Sequence, residues 1–143
     1  MQVKHILREK GREVVTIAGE AKLSEAARLM ARRHIGAVVI PDVGGGISGI
    51  LSERDIVRAV AAHSMAALDH SVARHMTRSV SSCSETDTVD ELMETMTCGR
   101  FRHVPVIEDG RLCGIVSIGD VVKSRIEETI REAASLREYI AAG

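Results

Sequence analysis

The chain has 143 residues, 45% of them hydrophobic, which suits one compact domain or two halves sharing a core. Aromatic residues amount to 1%, a single Phe101 and a single Tyr139, and 19 Lys plus Arg stand against 20 Asp plus Glu for a net charge of −1. This excludes the aromatic platform of a single-strand binder and the basic stripe of a phosphate-backbone binder, so no nucleic acid is expected.

No apolar run approaches the roughly 18 residues of a membrane span. No apolar signal core follows the first charges either, so the chain reads as soluble, cytoplasmic and without a membrane partner. Cys83, Cys98 and Cys113 form no C-x-x-C pair and are expected to be buried structural thiols in a reducing compartment.

In chain order, the β-branched run Val14 to Ile17 predicts a strand. Leu23, Ala26, Ala27, Met30 and Ala31 predict an amphipathic helix ending near His34, with Ser24-Glu25 in its first turn. Ala37 to Ile40 and Ile47 to Leu51, separated by Pro41 and Gly44-Gly45-Gly46, predict a hairpin. A helix is expected from Ser52 to about Ala62 with Ile56, Val57 and Val60 on one face, followed by an aperiodic linker over 64–71.

The order then repeats. A strand is expected around Val80 to Cys83, a helix from Thr88 to about Cys98, and strands Val104 to Ile107 and Leu112 to Val116 about the turn Glu108-Asp109-Gly110. The last helix opens at Ser117 and continues almost to Gly143. Its apolar stripe of Val122, Ile126, Ile130, Ala133 and Ile140, broken by Arg137, needs a partner, and a homodimer is expected.

The two halves share text as well as order. Gly49-Ile50-Leu51-Ser52-Glu53-Arg54-Asp55 is echoed by Gly114-Ile115-Val116-Ser117-Ile118-Gly119-Asp120, with Gly, Ser and Asp each displaced by 65 positions (49 to 114, 52 to 117, 55 to 120). Leu23 to Met30 is echoed by Val89 to Met96, and Val3 to Leu7 by Val72 to Met76. The period exceeds the roughly 20 to 50 residues of solenoid repeats, which points to duplicated half-domains packed face to face.

Ser-x-x-Asp at a helix start has two readings. It is a capping box, in which Ser accepts from the N3 amide and the acid reaches back. It is also an anion and hydroxyl site, because a helix N-terminus favours phosphate and a carboxylate accepts from sugar hydroxyls. The recurrence of Gly three residues before each Ser argues for more than a cap, and the residues alone leave both readings open.

The twin signatures, the segment Arg102-His103-Val104-Pro105-Val106 and the repeated β-α-β-β-α order resemble the paired cystathionine-β-synthase (CBS) domain, or Bateman module, in its small stand-alone bacterial form. The resemblance implies an α/β (α+β) fold of two CBS repeats, 1–63 and 72–123, related by pseudo-two-fold symmetry, with a linker at 64–71 and a C-terminal helical tail at 124–143. It implies a non-enzymatic regulatory module that takes an adenosine-containing ligand in clefts between the repeats and signals to an unidentified protein partner. AMP is the first choice, then NAD or NADH, ATP and S-adenosylmethionine.

By the same resemblance, Asp55 with Ser52 and Asp120 with Ser117 hold ribose and phosphate. Adenine would lie against Ile17, Val38 and Ile56, beside Thr16, at the first site, and against Cys83, Pro105 and Val121, beside Ser82, at the second. Arg54, Arg102 and His103 are expected to converge on the phosphates at Asp55, with Arg102-His103 standing where the first repeat has Ile35-Gly36.

No nucleophile elbow, Walker loop or metal cluster is visible, and Glu53 and Asp55, two apart on a helix, do not face each other. His63, His70 and His75 are spaced by seven and five, unlike a helical metal pair, so no metal is expected. The other function class in play is a ligand-free structural dimerisation module.

Overall fold

The computed structural model describes residues 1–142; Gly143, the end of the expected tail, lies outside the described residues. Its elements are α1 (Val3–Lys10), α2 (Leu23–Arg33), β1 (Ala37–Pro41), β2 (Ile47–Ser52) and α3 (Glu53–His63). A 3-10 helix (Ser64–Asp69) follows, then α4 (Val72–His75), α5 (Val89–Gly99), β3 (His103–Glu108), β4 (Arg111–Ser117) and α6 (Ile118–Ala142). No helix among the described residues is long and apolar enough to cross a membrane.

The chain forms two compact bodies whose limits differ from those of the sequence repeats. One comprises Met1–Arg12, Ser82–Val106 and the described chain from Gly114 onward, and the other Glu13–Ser81 and Ile107–Cys113. Each repeat therefore lends its leading helical segment to the body built on the other, α1 going with α5 and α6, and α4 with α2 and α3.

Equivalent backbone bonds fix each loan. Val3 N donates to Asp87 O (2.9 Å), Lys4 N to Glu85 O (2.9 Å) and Val89 N to Met1 O (2.9 Å). In the other body Val72 N donates to Ala21 O (2.7 Å), Ala73 N to Gly19 O (2.9 Å) and Leu23 N to His70 O (2.9 Å).

In the body containing Asp55, β1 and β2 form an antiparallel hairpin pairing Ala37 with Ser52 and Val39 with Ile50. Its turn passes through Gly45 at φ +91°, a conformation glycine adopts without steric cost. Leu23, Ala26 and Met30 of α2, Val38 and Ile40 of β1, Leu51, Ala59, Ala67 and Val72 make the core. Leu112 N, at the tip of the second hairpin, donates to Gly45 O (3.1 Å). In the other body Val3, Ile6 and Leu7 of α1 are buried, as are Val89, Leu92 and Met96 of α5, Val104 and Val106 of β3, and Val116 and Val121.

Several expectations change in detail. The run 14–17 contributes an isolated parallel bridge, Thr16 to Val39, and the run 80–83 a matching one, Cys83 to Val106. The segment read as a linker folds as the 3-10 helix, with Ala67 fully buried. The inner face of α3 is Asp55 and Ala59, flanked by Ile56 and Val60, which are half-buried and pack against the core as expected; Val57 alone of that stripe turns outward, at 67% exposed. Only Cys83 is a buried thiol; Cys98 lies off the inner face of α5 and is exposed, and Cys113 is half-buried.

The register of the repeats also shifts by one residue. His34 and Arg100 are the equivalent left-handed helix ends, at φ 54° and 56°. Glu53 N donates to Gly36 O (3.0 Å) as Ile118 N does to Arg102 O (2.8 Å). Arg102-His103 therefore takes the place of Gly36-Ala37, not of Ile35-Gly36.

The recurring signature glycines have a packing cause. A Cβ on Gly114 would sit 2.7 Å from Leu7 Cδ2, and one on Gly49 would sit 2.8 Å from both Met76 Sδ and the Thr77 carbonyl oxygen. Leu7 and Met76 are the echoed ends of the two lent segments. Gly49→Ala is therefore expected to lower stability by about 1 to 3 kcal/mol, since a backbone oxygen cannot rotate away. Gly114→Ala is expected to cost less, and Leu7→Ala combined with it less than the sum of the two single changes, as a denaturant-unfolding double-mutant cycle would read.

Candidate ligand site

The site begins where β2 runs into α3. Ser52 has extended backbone and caps the helix: its Oγ accepts from Asp55 N (3.4 Å), while Asp55 Oδ2 accepts from Ser52 N (2.9 Å) and from Ser52 Oγ (3.2 Å). Asp55 Oδ1 accepts from Thr77 Oγ1 (3.1 Å), delivered by the strand-like segment after α4 that pairs with Ile50. Asp55 is only 8% exposed, and among the described residues no ion pair engages it. A carboxylate buried with neutral donors alone is incompletely compensated, because burial penalises its charge.

The second signature repeats the cap at the start of α6. Asp120 Oδ2 accepts from Ser117 N (2.8 Å), and Ser117 Oγ accepts from Asp120 N (3.2 Å). Here the lent segment supplies a charge: Lys10 Nζ donates to Asp120 Oδ2 at 2.6 Å and to Ile115 O at 2.9 Å. Burial pushes the Asp120 carboxyl pKa up, but the Lys10 and Ser117 hydrogen bonds and the Lys10 charge outweigh it, leaving it below the ordinary 3.8. Lys10 thus occupies the aspartate that the sequence pattern offered as a second ribose ligand.

The other sequence-identified residues divide between the two bodies. With Asp55 go Thr16, which is exposed, Ile17 and Ile56, which are half-buried, Val38, which is fully buried in the core, and the exposed Arg54. With Asp120 go the exposed Arg102 and Ser82, the half-buried His103, and Cys83, Pro105 and Val121, all buried. Sequence reading missed Thr77 and Lys10, because each reaches its aspartate across the exchange of segments, at separations of 22 and 110 positions in the chain. The structure also brings together His63, His70 and His75, which come from three different elements and so obey no single-helix spacing.

The CBS domain model matches residues 3–62 and 71–127. The chain belongs to the CBS domain family. The crystal structure of the CBS-domain-containing protein ATU1752 from Agrobacterium tumefaciens is 52% identical, with a TM-score of 0.85 over 87% of this chain and 99% of that one. The CBS domain pair of protein MJ0100, solved with 5-methylthioadenosine and S-adenosyl-L-methionine, is 27% identical, with a TM-score of 0.79 over 90% of this chain and 98% of that one.

The CBS domain protein PAE2072 from Pyrobaculum aerophilum, solved with AMP, is 29% identical, with a TM-score of 0.73 over 84% and 89% of the two chains. Matches to curated relatives from Acidianus ambivalens and Arabidopsis thaliana, 32% and 33% identical, cover 80% and 83% of this chain and 69% and 60% of theirs.

The depressed Asp120 pKa stabilises the folded state above the unfolded value, and this contribution is lost as pH falls through the folded value. Lys10→Met should therefore lower stability near neutrality by up to about 1 kcal/mol, the pair being partly exposed. The deficit should shrink as pH falls below 3.8. Urea midpoints of both proteins from neutral to acid pH check this; a deficit independent of pH would make Lys10 a packing residue only.

Proposed function

We propose that the chain is a non-enzymatic sensor that binds an adenosine-containing ligand at the Asp55 signature and transmits its occupancy to a protein partner. The observation that carries this reading is the buried Asp55 carboxylate, held by uncharged donors at the N-terminus of α3. A ribose hydroxyl would add a donor to the one Oδ1 lone pair that Ser52 and Thr77 leave open, and the α3 amide end favours a phosphate. Structural relatives solved with AMP and with S-adenosyl-L-methionine support an adenosyl ligand.

AMP is the first choice, with NAD or NADH, ATP and S-adenosylmethionine next. Thr16, Ile17 and Ile56 are the proposed contacts of the base, with Val38, fully buried in the core, acting only as packing behind them, and Arg54 is the proposed contact of the phosphate. At Asp120 a ribose would have to displace the Lys10 ammonium, so that signature is proposed as the weaker site, suited to a less charged adenosyl ligand.

A second reading has its own support. Both signatures form complete capping boxes, and both glycines are explained by Leu7 and Met76, so a ligand-free structural module accounts for the motif as a helix cap. Thermal melts with AMP, ATP, NAD and S-adenosylmethionine separate the two. On the sensor reading AMP stabilises by about 2.7 kcal/mol at a hundredfold excess over Kd, and Asp55→Ala abolishes that gain. As a cap alone, Asp55→Ala costs about 0.5 to 2 kcal/mol, and no ligand moves the wild-type melt.

The exposed stripe of α6 supports a homodimer: Ile126 is 54%, Ile130 63% and Ile140 69% exposed. Sedimentation of the wild-type chain is expected to show a dimer, and Ile126→Glu with Ile130→Glu a monomer with an unchanged far-ultraviolet spectrum.

A further inference from the structure

Three imidazoles meet at one spot in the body that contains Asp55. His63 ends α3, His70 caps the 3-10 helix and His75 ends α4. One ring nitrogen from each lies within 4.8 Å of the others, and His70 Nδ1 is 2.9 Å from His75 Nε2. The His70 and His75 rings stack at 5.2 Å between centroids, with His63 edge-on to both at 5.1 and 5.6 Å.

The backbone beneath two of these rings is tied down independently of them. His70 N donates to Ala67 O (3.0 Å), Leu23 N donates to His70 O (2.9 Å), and Met76 N, next to His75, donates to Val72 O (2.9 Å). His63 is the exposed member and has room to swing. The cluster is thus two positioned ligands and one adjustable one.

We propose that His63, His70 and His75 form a binding site for one zinc-class divalent transition ion, with solvent as the fourth ligand. Tetrahedral zinc with Zn–N of about 2.0 to 2.1 Å sets its nitrogens about 3.3 Å apart. The 2.9 Å pair needs to open slightly and His63 to close in, which side-chain rotation supplies. Binding replaces the hydrogen bond between His70 and His75 with two metal bonds.

The surroundings favour imidazole in its ligating, uncharged form. Burial lowers the pKa of His70, aided by the charges of Arg74 and His63, and against the pull of Asp69. Burial likewise lowers that of His75, aided by His70, Arg74 and His63 and opposed by Asp55. All-nitrogen donors select zinc, nickel or copper over magnesium and calcium. The proposal does not rest on the nucleotide reading, since none of the three ligands is a residue proposed to touch the nucleotide, although the charge of Asp55 reaches His75.

The test uses the full chain, without an affinity tag and stripped with chelator. It is titrated calorimetrically with ZnCl2 and, separately, MgCl2, and examined by absorption with CoCl2. The proposal expects one Zn2+ per chain, no Mg2+ heat, and Co2+ d–d bands of a tetrahedral site without a thiolate charge-transfer band.

It also expects His63→Gln to weaken Zn2+ binding at least about tenfold while leaving the metal-free melting temperature unchanged, as the ring is exposed. His70→Gln and His75→Gln should do the same to binding. No Zn2+ heat, binding unchanged in His63→Gln, or a thiolate band assigning the ion to a cysteine would each overturn it.

Discussion

The close approach of a lent segment to a glycine is the constraint on which the rest of the structure depends. Leu7 presses on Gly114 in one body, and Met76 with Thr77 presses on Gly49 in the other. Because α1 and α4 cross to the opposite repeat, each body is completed by residues distant in sequence. The same crossing brings Lys10 to Asp120 and Thr77 to Asp55. The backbone of each signature is thus shaped by packing, and the electrostatics of its aspartate by whichever side chain the crossing segment delivers.

This separates two signatures that read alike. Both begin a helix with a complete capping box, and both place a carboxylate at the positive end of the helix dipole. Asp120 has its charge met by a lysine at 2.6 Å, whereas Asp55 is buried with hydroxyl and amide donors only. A ribose adds a donor at Asp55 but competes with an ion pair at Asp120. Duplication has preserved the scaffold while the crossing segments have made the two aspartates chemically unequal.

Much of the architecture was legible because it is local. The hairpin around Gly44-Gly45-Gly46, the helix starting after Thr88 and the long helix after Ser117 follow from turn residues, caps and periodicity, and appear within a residue or so of expectation. The exchange left a trace in the echo of Val3 to Leu7 by Val72 to Met76, but a one-dimensional pattern does not say which half a segment packs against. Of the α3 stripe, Ile56 and Val60 pack against the core, while Val57 faces outward because the buried face centres on Asp55 and Ala59. Of the candidate site, Ser52 and Asp55 were legible from their motif, while Thr77, Lys10 and the histidine cluster depend on long-range folding. The glycines, once an argument for a ligand, turn out to serve packing.

The inequality of the two aspartates is tested most directly by the stoichiometry of AMP binding, read by isothermal titration of the wild-type chain beside Asp55→Asn and Asp120→Asn. The account predicts one tight site per chain, absent in Asp55→Asn and intact in Asp120→Asn. Two equivalent sites, or a single site that survives Asp55→Asn, would contradict it.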